Sequence, residues 1–373
     1  MEKIDFIKDF RDSKKILAIA KLIDKEVNRP LKIMEVCGGH THTIMKYGLK
    51  QLLPKEIEFI HGPGCPVCVM PKERIDQAIA LCQDDKNILV TLGDMIRVPG
   101  SESSLAKERA KGKNVKVVYS PYDILKIAKE NPAKNIIYFA IGFETTTPMT
   151  ASLIEKVLEY GLKNVFFHIN HVLVPPPIKA IMKSKEAKID AFIGPSHVSV
   201  ITGAKIYQEI VDLYDTPVVV AGFEPLDIME GILRIIKQFK KDRREVEIQY
   251  TRAVNWEGNK KAQDLINKYM EKRNSFRWRG IGDIPYSALK IKDEFSFLDA
   301  EYIFKDVLPD KPIDDHKLCI CGDILKGIAK PYECKVFGKA CTPQNPLGAC
   351  MVSSEGACAA YYKYGNVKEG VEI

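Results

Sequence analysis

The chain has 373 residues, of which 46% are apolar and 28% charged, and its formal net charge is +7. At about 150 residues per domain this suits two or three domains, and it excludes both a disordered chain and a small disulfide-stapled scaffold. No apolar run approaches the roughly 18 residues that span a bilayer. The opening stretch MEKIDFIKDFRDSKK is charged throughout, so no secretory signal is expected and the cytoplasm is the expected location. The densest basic stretch, residues 237–244 (KQFKKDRR), is accompanied by no aromatic stacking pattern and reads as a solvated helix end. Neither nucleic acid nor a membrane is an expected partner.

In chain order, Ile16, Ile19, Ala20 and Ile23 have the spacing of one buried helix face. After Pro30, short apolar runs predict strands at 31–36, 57–61, 87–92, 115–119, 135–141, 164–169, 191–193, 217–221 and 246–250. Helical stretches at 73–83, 149–160, 200–214 and 226–240 lie between them. Continuous apolar strands alternating with helices predict an α/β fold with parallel sheets. Two short echoes, Gly142-Phe143-Glu144 with Gly222-Phe223-Glu224 and FIHGPG with FIGPS, hint at related α/β units. From about Gly258 the rhythm stops. One helix, 259–273, leads into a tail rich in Cys, Gly and Pro with little sheet signal, which reads as a small domain organised by a metal centre.

The ten cysteines are unevenly placed: Cys37, Cys65, Cys68 and Cys82 come early, and the other six lie from Cys319 onward. In a reducing compartment so many thiols suit metal or redox chemistry better than structural disulfides. MEVCGGHTHT ends a strand at Cys37 and brings His40 and His42 ahead of a helix, where loops of an α/β sheet gather ligands. Its two glycines let a ligand approach the backbone, and thiolate with imidazole suits a transition metal. The plainer reading is a buried Cys with two loop histidines. In HGPGCPVCVMPKE, Cys65 and Cys68 form a C-x-x-C ahead of a helix, a place that favours thiolate and a two-electron disulfide couple. Half of a zinc site and two structural thiols are the alternatives.

The loop IGFETTTP sets Glu144 beside three threonines at a strand end, as a base or hydrogen-bond acceptor in a cleft, or as part of a helix cap. LGDMIRVPG matches neither the P-loop nor the dinucleotide fingerprint. In the tail, Cys334, Cys341, Cys350 and Cys358 are separated by six, eight and seven residues among Gly and Pro, which suits a 4Fe-4S cluster, with zinc as the alternative. Cys319 and Cys321 are spare thiols beside them, and Cys82 reads as core.

Taken together, MEVCGGHTHT, GPGCPVC, GFETTTP and CKVFGKACTPQNPLGACMVSSEGAC, in this order, resemble the HypD family of NiFe-hydrogenase maturation factors, over essentially the whole chain. The resemblance implies two parallel-sheet α/β domains around a cleft plus a small C-terminal iron–sulfur domain, here at 1–130, 131–257 and 258–373. It implies that the protein, with a HypC-like chaperone, holds an iron ion while two cyanides and one CO are added, using cyanide delivered by a HypE-like donor. The finished group then passes to the hydrogenase large subunit. On the matching positions Cys37 would ligate the iron and Cys65 and Cys68 would be the cleft dithiol, with His40 and Glu144 nearby. Cys334, Cys341, Cys350 and Cys358 would hold the cluster. The role is that of a redox-active scaffold taking part in cyanide transfer. The competing readings are a cluster-dependent thiol–disulfide reductase acting on a protein, which has no need of CGGHTH, and a zinc-binding adaptor.

Overall fold

In the computed structural model, residues 9–184, 186 and 188–365 are described; residues 1–8, the start of the charged N-terminal stretch, and residues 366–373 lie outside that set. Nine strands form where apolar runs were expected: β1 (Leu31–Glu35), β2 (Ile57–His61), β3 (Asn87–Leu92), β4 (Val115–Val118), β5 (Asn135–Gly142), β6 (Val165–His171), β7 (Ala191–Pro195), β8 (Val218–Ala221) and β9 (Val246–Ile248). They make two parallel sheets, ordered β2-β1-β7-β8-β9 and β4-β3-β5-β6. Residue 130 therefore falls inside the second sheet, between β4 and β5, rather than between two domains. The first sheet takes strands from both expected α/β segments, because the chain leaves it after β2, builds the second sheet, and returns at β7.

Counted in its own chain order, each sheet runs second-first-third-fourth. Each thus has a switch point, between β1 and β7 in one and between β3 and β5 in the other, the place where α/β sheets commonly gather ligands. The Gly-Phe-Glu echo follows β5 and β8, which are not equivalent strands in the two sheets, so the echo does not mark corresponding positions.

The strands are apolar on both faces because both are covered. Ile16, Ala20 and Ile23 of helix Ser13–Glu26 pack with Ile232 and Ile236 of helix Pro225–Lys240 on the outer face of the first sheet. Asp12 caps the first of these helices through Lys14 N–H (2.8 Å). Ile154 and Val157 cover the outer face of the second sheet. Met34, Ile60 and Phe192 from one sheet share a central core with Leu89, Ile137 and Phe139 from the other.

Two local expectations differ from what forms. The helix expected at 200–214 is three pieces, Ser196–Thr202, a 3-10 turn Ala204–Tyr207, and Gln208–Tyr214. It breaks at Gly203, whose φ is +79° and whose Cβ position lies 2.2 Å from the Trp256 carbonyl. After helix Lys260–Tyr269 come two antiparallel ribbons, Met270–Lys272 with Leu289–Ile291 and Ser275–Trp278 with Gly282–Pro285. Strands of three or four residues leave no readable alternation. The tail also has apolar support: Ile324, Val336, Met351 and Val352 are buried in the same core as Val67 and Val69 beside the C-x-x-C. Among the described residues, no helix is long and apolar enough to cross a membrane.

The segment after residue 258 is pinned to the second sheet by a charged network. Glu301 accepts from Arg74 (2.7 and 2.8 Å) and from Arg273, while Arg74 also donates to Asn170 (2.5 Å) and the Ile169 carbonyl (2.9 Å). Burial opposes the charge on Glu301, yet the two guanidiniums hold its carboxyl well below the usual range. Removing the acid would leave two cations without a counter-charge. Glu301→Ala should lower stability by about 3 kcal/mol in urea denaturation; an unchanged midpoint would show that the network adds nothing.

Candidate functional site

Cys37 lies two residues beyond β1, at the switch point of the first sheet. It is extended (φ −150°, ψ 128°) and forms the N-cap of helix Gly38–Lys46, its carbonyl accepting from His40 N–H (3.0 Å). Its surroundings are protein backbone. A Cβ on Gly64 would lie 2.2 Å from Cys37 N, and one on Gly38 would lie 2.4 Å from the Glu355 carbonyl of the tail. A Cβ on Gly39 would lie 2.8 Å from the Phe223 ring in the loop after β8. The two glycines, expected to leave room for a ligand, are instead taken up by these contacts. Burial pushes the Cys37 thiol well up, and the Glu355 carboxylate adds to it, so the group rests as a thiol.

His40, one helical turn on, is fully buried. Its Nε2 lies 3.1 Å from both the Ala221 and Gly222 carbonyls, which can only accept, so Nε2 carries the hydrogen. Burial pushes its pKa down to about 4, keeping the ring neutral. Nδ1 is then a bare lone pair with no partner. His40 thus presents an acceptor to its surroundings, and not the N–H that would donate to a bound cyanide. His42 faces the tail, edge-on to Tyr364 at 5.1 Å.

Gly64 brings the next residue, Cys65, to the Cys37 loop. Cys65 and Cys68 are joined as a disulfide, with Cα atoms 5.2 Å apart, and both are buried. The following helix starts only at Lys72 with Pro71 as its cap, so the pair occupies the turn before it. A helix dipole fades within its own first turn, so it is a weak source of thiolate stabilisation here. Cys82 is buried in the core, as expected.

Glu144 follows β5, at the switch point of the second sheet. Its Oε1 accepts from Val174 N–H (3.0 Å), and its buried Oε2 has no partner. Burial pushes its pKa up to about 7. The threonines do not cap the helix: the Thr146 and Thr147 hydroxyls bond to carbonyls, including that of Phe143. Two further residues, not singled out in the sequence, join the site. Tyr207 is fully buried, and after burial the Glu144 carboxylate and the Cys37 thiol both raise its pKa, so its hydroxyl lies within electrostatic reach of each. Ser196 follows β7, the strand beside β1, and its buried hydroxyl has no partner. Among the described residues five buried side-chain atoms lack a partner, and three of them are on His40, Glu144 and Ser196, each just beyond the end of a parallel strand. A buried polar atom without a partner calls for an explanation, of which a bound ligand or water is one.

The tail carries six further cysteines, and its Glu355, three residues before Cys358, touches Gly38. Cys319 and Cys321 sulfurs are 3.1 Å apart and both pack on Gly348. Cys321 is hydrogen-bonded to Cys358, a contact that with burial pushes the Cys358 thiol well up, and Cys350 lies within electrostatic reach. Cys341 accepts from Leu347 N–H (3.4 Å), while Cys334 contacts the Leu318 carbonyl at 3.6 Å. The set fits an iron–sulfur cluster in kind, being thiols only and mostly buried. In arrangement, Cys321 contacts both Cys319 and Cys358, so a cluster on Cys334, Cys341, Cys350 and Cys358 would take one thiol that is now paired with Cys321. Among the described residues, no three Cys, His, Asp or Glu side chains are gathered to hold a single metal ion.

Fold and site define a parallel α/β protein with Cys37 and the Cys65–Cys68 loop at a switch point of one sheet. The sequence profile described as "HypD: Hydrogenase formation hypA family" matches residues 14–365. The "Hydrogenase expression/formation protein HupD" of Azotobacter chroococcum is 48% identical, covering 99% of each chain. "Hydrogenase maturation factor HypD2" of Bradyrhizobium diazoefficiens is 46% identical, covering 97% of each. "Hydrogenase maturation factor HypD" of Escherichia coli K12 is 41% identical, covering 96% of this chain and 98% of its own. The chain belongs to the HypD family, as its motifs led us to expect.

The raised Glu144 carboxyl makes stability depend on pH. The folded state holds its proton more tightly than the unfolded chain, so the benefit is complete below pH 4.5 and is lost as pH rises through about 7. Glu144→Gln cannot titrate there. The native protein should lose about 3 kcal/mol relative to Glu144→Gln over that window, measured by urea denaturation at several pH values; parallel profiles would contradict the assignment.

Proposed function

We infer that this chain is a hydrogenase maturation factor that acts as a scaffold for an iron ion carrying two cyanides and one CO. The observation that carries the reading is Cys37 at the switch point, beside the Cys65–Cys68 loop and one helical turn before His40, whose Nδ1 has no partner. Low-spin iron with carbon ligands suits a soft thiolate. One Cys leaves the iron's coordination incomplete, so a second ligand comes from a HypC-like chaperone. Cyanide arrives as a thiocyanate on a HypE-like donor, and the completed group goes on to the hydrogenase large subunit. The contacts of this pathway are proposals from the family resemblance.

Releasing cyanide from a thiocyanate while restoring the donor thiolate takes two electrons. The reduced Cys65 and Cys68 thiols supply both, closing to a disulfide and giving up two protons. Glu144, whose pKa burial raises to about 7, is the candidate base for one of these protons, and the other goes to solvent. Iron binding at Cys37 also releases the thiol proton. When bound, a 4Fe-4S cluster on Cys334, Cys341, Cys350 and Cys358 supplies electrons one at a time. A thiol–disulfide reductase would use the same dithiol but would give Cys37 no task.

The test is infrared spectroscopy of the complex purified anaerobically with its chaperone, where cyanide and carbonyl stretches are free of protein bands. Cys37→Ala should abolish those bands while the visible absorption of the tail persists. Bands surviving unchanged would place the iron elsewhere, with Cys65 and Cys68 the first candidates. Zinc alone in the purified protein would favour the adaptor.

A further inference from the structure

Two charged-type side chains interrupt the apolar strands next to Cys37. Glu35 in β1 is 0% exposed, and His61 at the end of β2 is 4% exposed. Their strands are adjacent and in register, Glu35 opposite His61, and His61 Nδ1 lies 2.6 Å from Glu35 Oε1. The Thr41 hydroxyl donates to the same oxygen. The other oxygen, Oε2, accepts the backbone N–H of Cys37 at 3.2 Å. On its far side, His61 Nε2 meets the Tyr361 hydroxyl at 3.2 Å, and the two rings stand edge to face at 5.3 Å. Tyr361 lies on the tail helix Ala357–Tyr364, one turn beyond Cys358. An unbroken line of hydrogen bonds therefore runs from the tail helix to the main-chain nitrogen of Cys37.

Part of this line has a fixed direction. A backbone N–H can only donate, so Glu35 Oε2 accepts from Cys37, while Oε1 accepts the Thr41 hydroxyl and meets His61 Nδ1. On the other side of the ring, Nε2 is joined to the Tyr361 hydroxyl. Burying such a pair is costly, and an apolar pair of similar size would commonly be as stable or more so. Stability alone therefore gives a poor reason for Glu and His here, where the neighbouring strand positions are apolar. Their one unusual product is a fixed backbone at Cys37, which turns the thiol in one direction. The Gly38 contact with Glu355 seats the same tail against the same turn.

We propose that Tyr361, His61 and Glu35 form a positioning chain that orients Cys37, so that the tail helix is a working part of the Cys37 site. The proposal rests on the reading that Cys37 holds the iron. The three residues do not touch the reacting atoms; they act through Cys37. Groups that orient a metal ligand are commonly worth ten- to hundredfold in metal affinity or activity.

The test uses Tyr361→Phe, which removes one hydroxyl and keeps the ring, and His61→Asn, which keeps a donor toward Glu35 but cuts the link to Tyr361. In the complex with its chaperone, each should lower the iron–cyanide–carbonyl content by about tenfold and shift the remaining cyanide bands. Thermal unfolding and the visible absorption of the tail should stay as in the unaltered chain, which separates positioning from simple support of the fold. Unaltered band positions and content in both variants would overturn the proposal, as would a loss of bands explained wholly by a lower unfolding temperature. If the unaltered complex itself shows no such bands, the functional reading fails, and the alkylation rate of Cys37 in the isolated chain, mapped by mass spectrometry, decides the matter. A rate changed by about tenfold in both variants supports the chain; equal rates overturn it.

Discussion

At the end of β1 three backbones come as close as polypeptide can. The Cys37 turn is met on one side by Gly64 from the loop after β2, and on the other, at Gly38, by Glu355 from the tail. Segments almost three hundred residues apart thus share one point of contact, and no side chain larger than hydrogen fits between them. The arrangement of the remaining thiols follows. Seating Gly64 brings in Cys65 and, through the C-x-x-C turn, Cys68. Seating Glu355 brings in the loop before Cys358 and the helix that carries it. The two sheets contribute the frame, because each has a switch point, one marked by Cys37 and the other by Glu144, with Tyr207 in electrostatic reach of both.

The electrostatics of this place follow from the same crowding. Burial removes solvent, so each ionisable group drifts toward its neutral form: His40 down to about 4, Glu144 up to about 7, and the Cys37 thiol up as well. A site of neutral groups with unused lone pairs presents little fixed charge to an incoming anion. It also holds a proton on Cys37 that metal binding displaces, which ties occupancy to pH. Burial pushes the Glu35 carboxyl up too, and three contacts oppose that push, from His61, the Thr41 hydroxyl and the N–H of Cys37.

Much of this was legible in the sequence, for identifiable reasons. The nine strands were readable because strands buried on both faces are continuous apolar runs. The loops bearing Cys37, Cys65, Cys68 and Glu144 were readable because chemistry-bearing residues crowd around glycines at strand ends. The interleaving of the two sheets was not, since nothing in a linear pattern tells which strands pair. The break at Gly203 looked like a tolerated glycine in a helix until the Trp256 carbonyl occupied its Cβ position. Ser196 and Tyr207 gave no signal beyond an ordinary strand end and helix. Glu35 and His61 gave a partial one: LKIMEV and IEFIH each contain two charged-type residues, and alternation did not tell that Glu35 and His61, not Lys32 and Glu58, are the buried pair. The tail's arrangement was the least readable, because spacing says which thiols are near in sequence and not which meet in space; Cys321 meets Cys319 and Cys358.

The central claim is that the site exists because these backbones touch at Cys37. Gly64→Ala tests it most directly, since the added carbon would meet main-chain atoms at 2.2 and 2.4 Å that cannot swing aside. Infrared spectra of the complex with its chaperone should show the cyanide and carbonyl bands lost in Gly64→Ala, with urea denaturation registering a cost of about 2 kcal/mol. Full-strength bands at unaltered positions in a variant of normal stability would contradict the account, because Cys37 could then hold its iron without the contact on which the rest of the site is built.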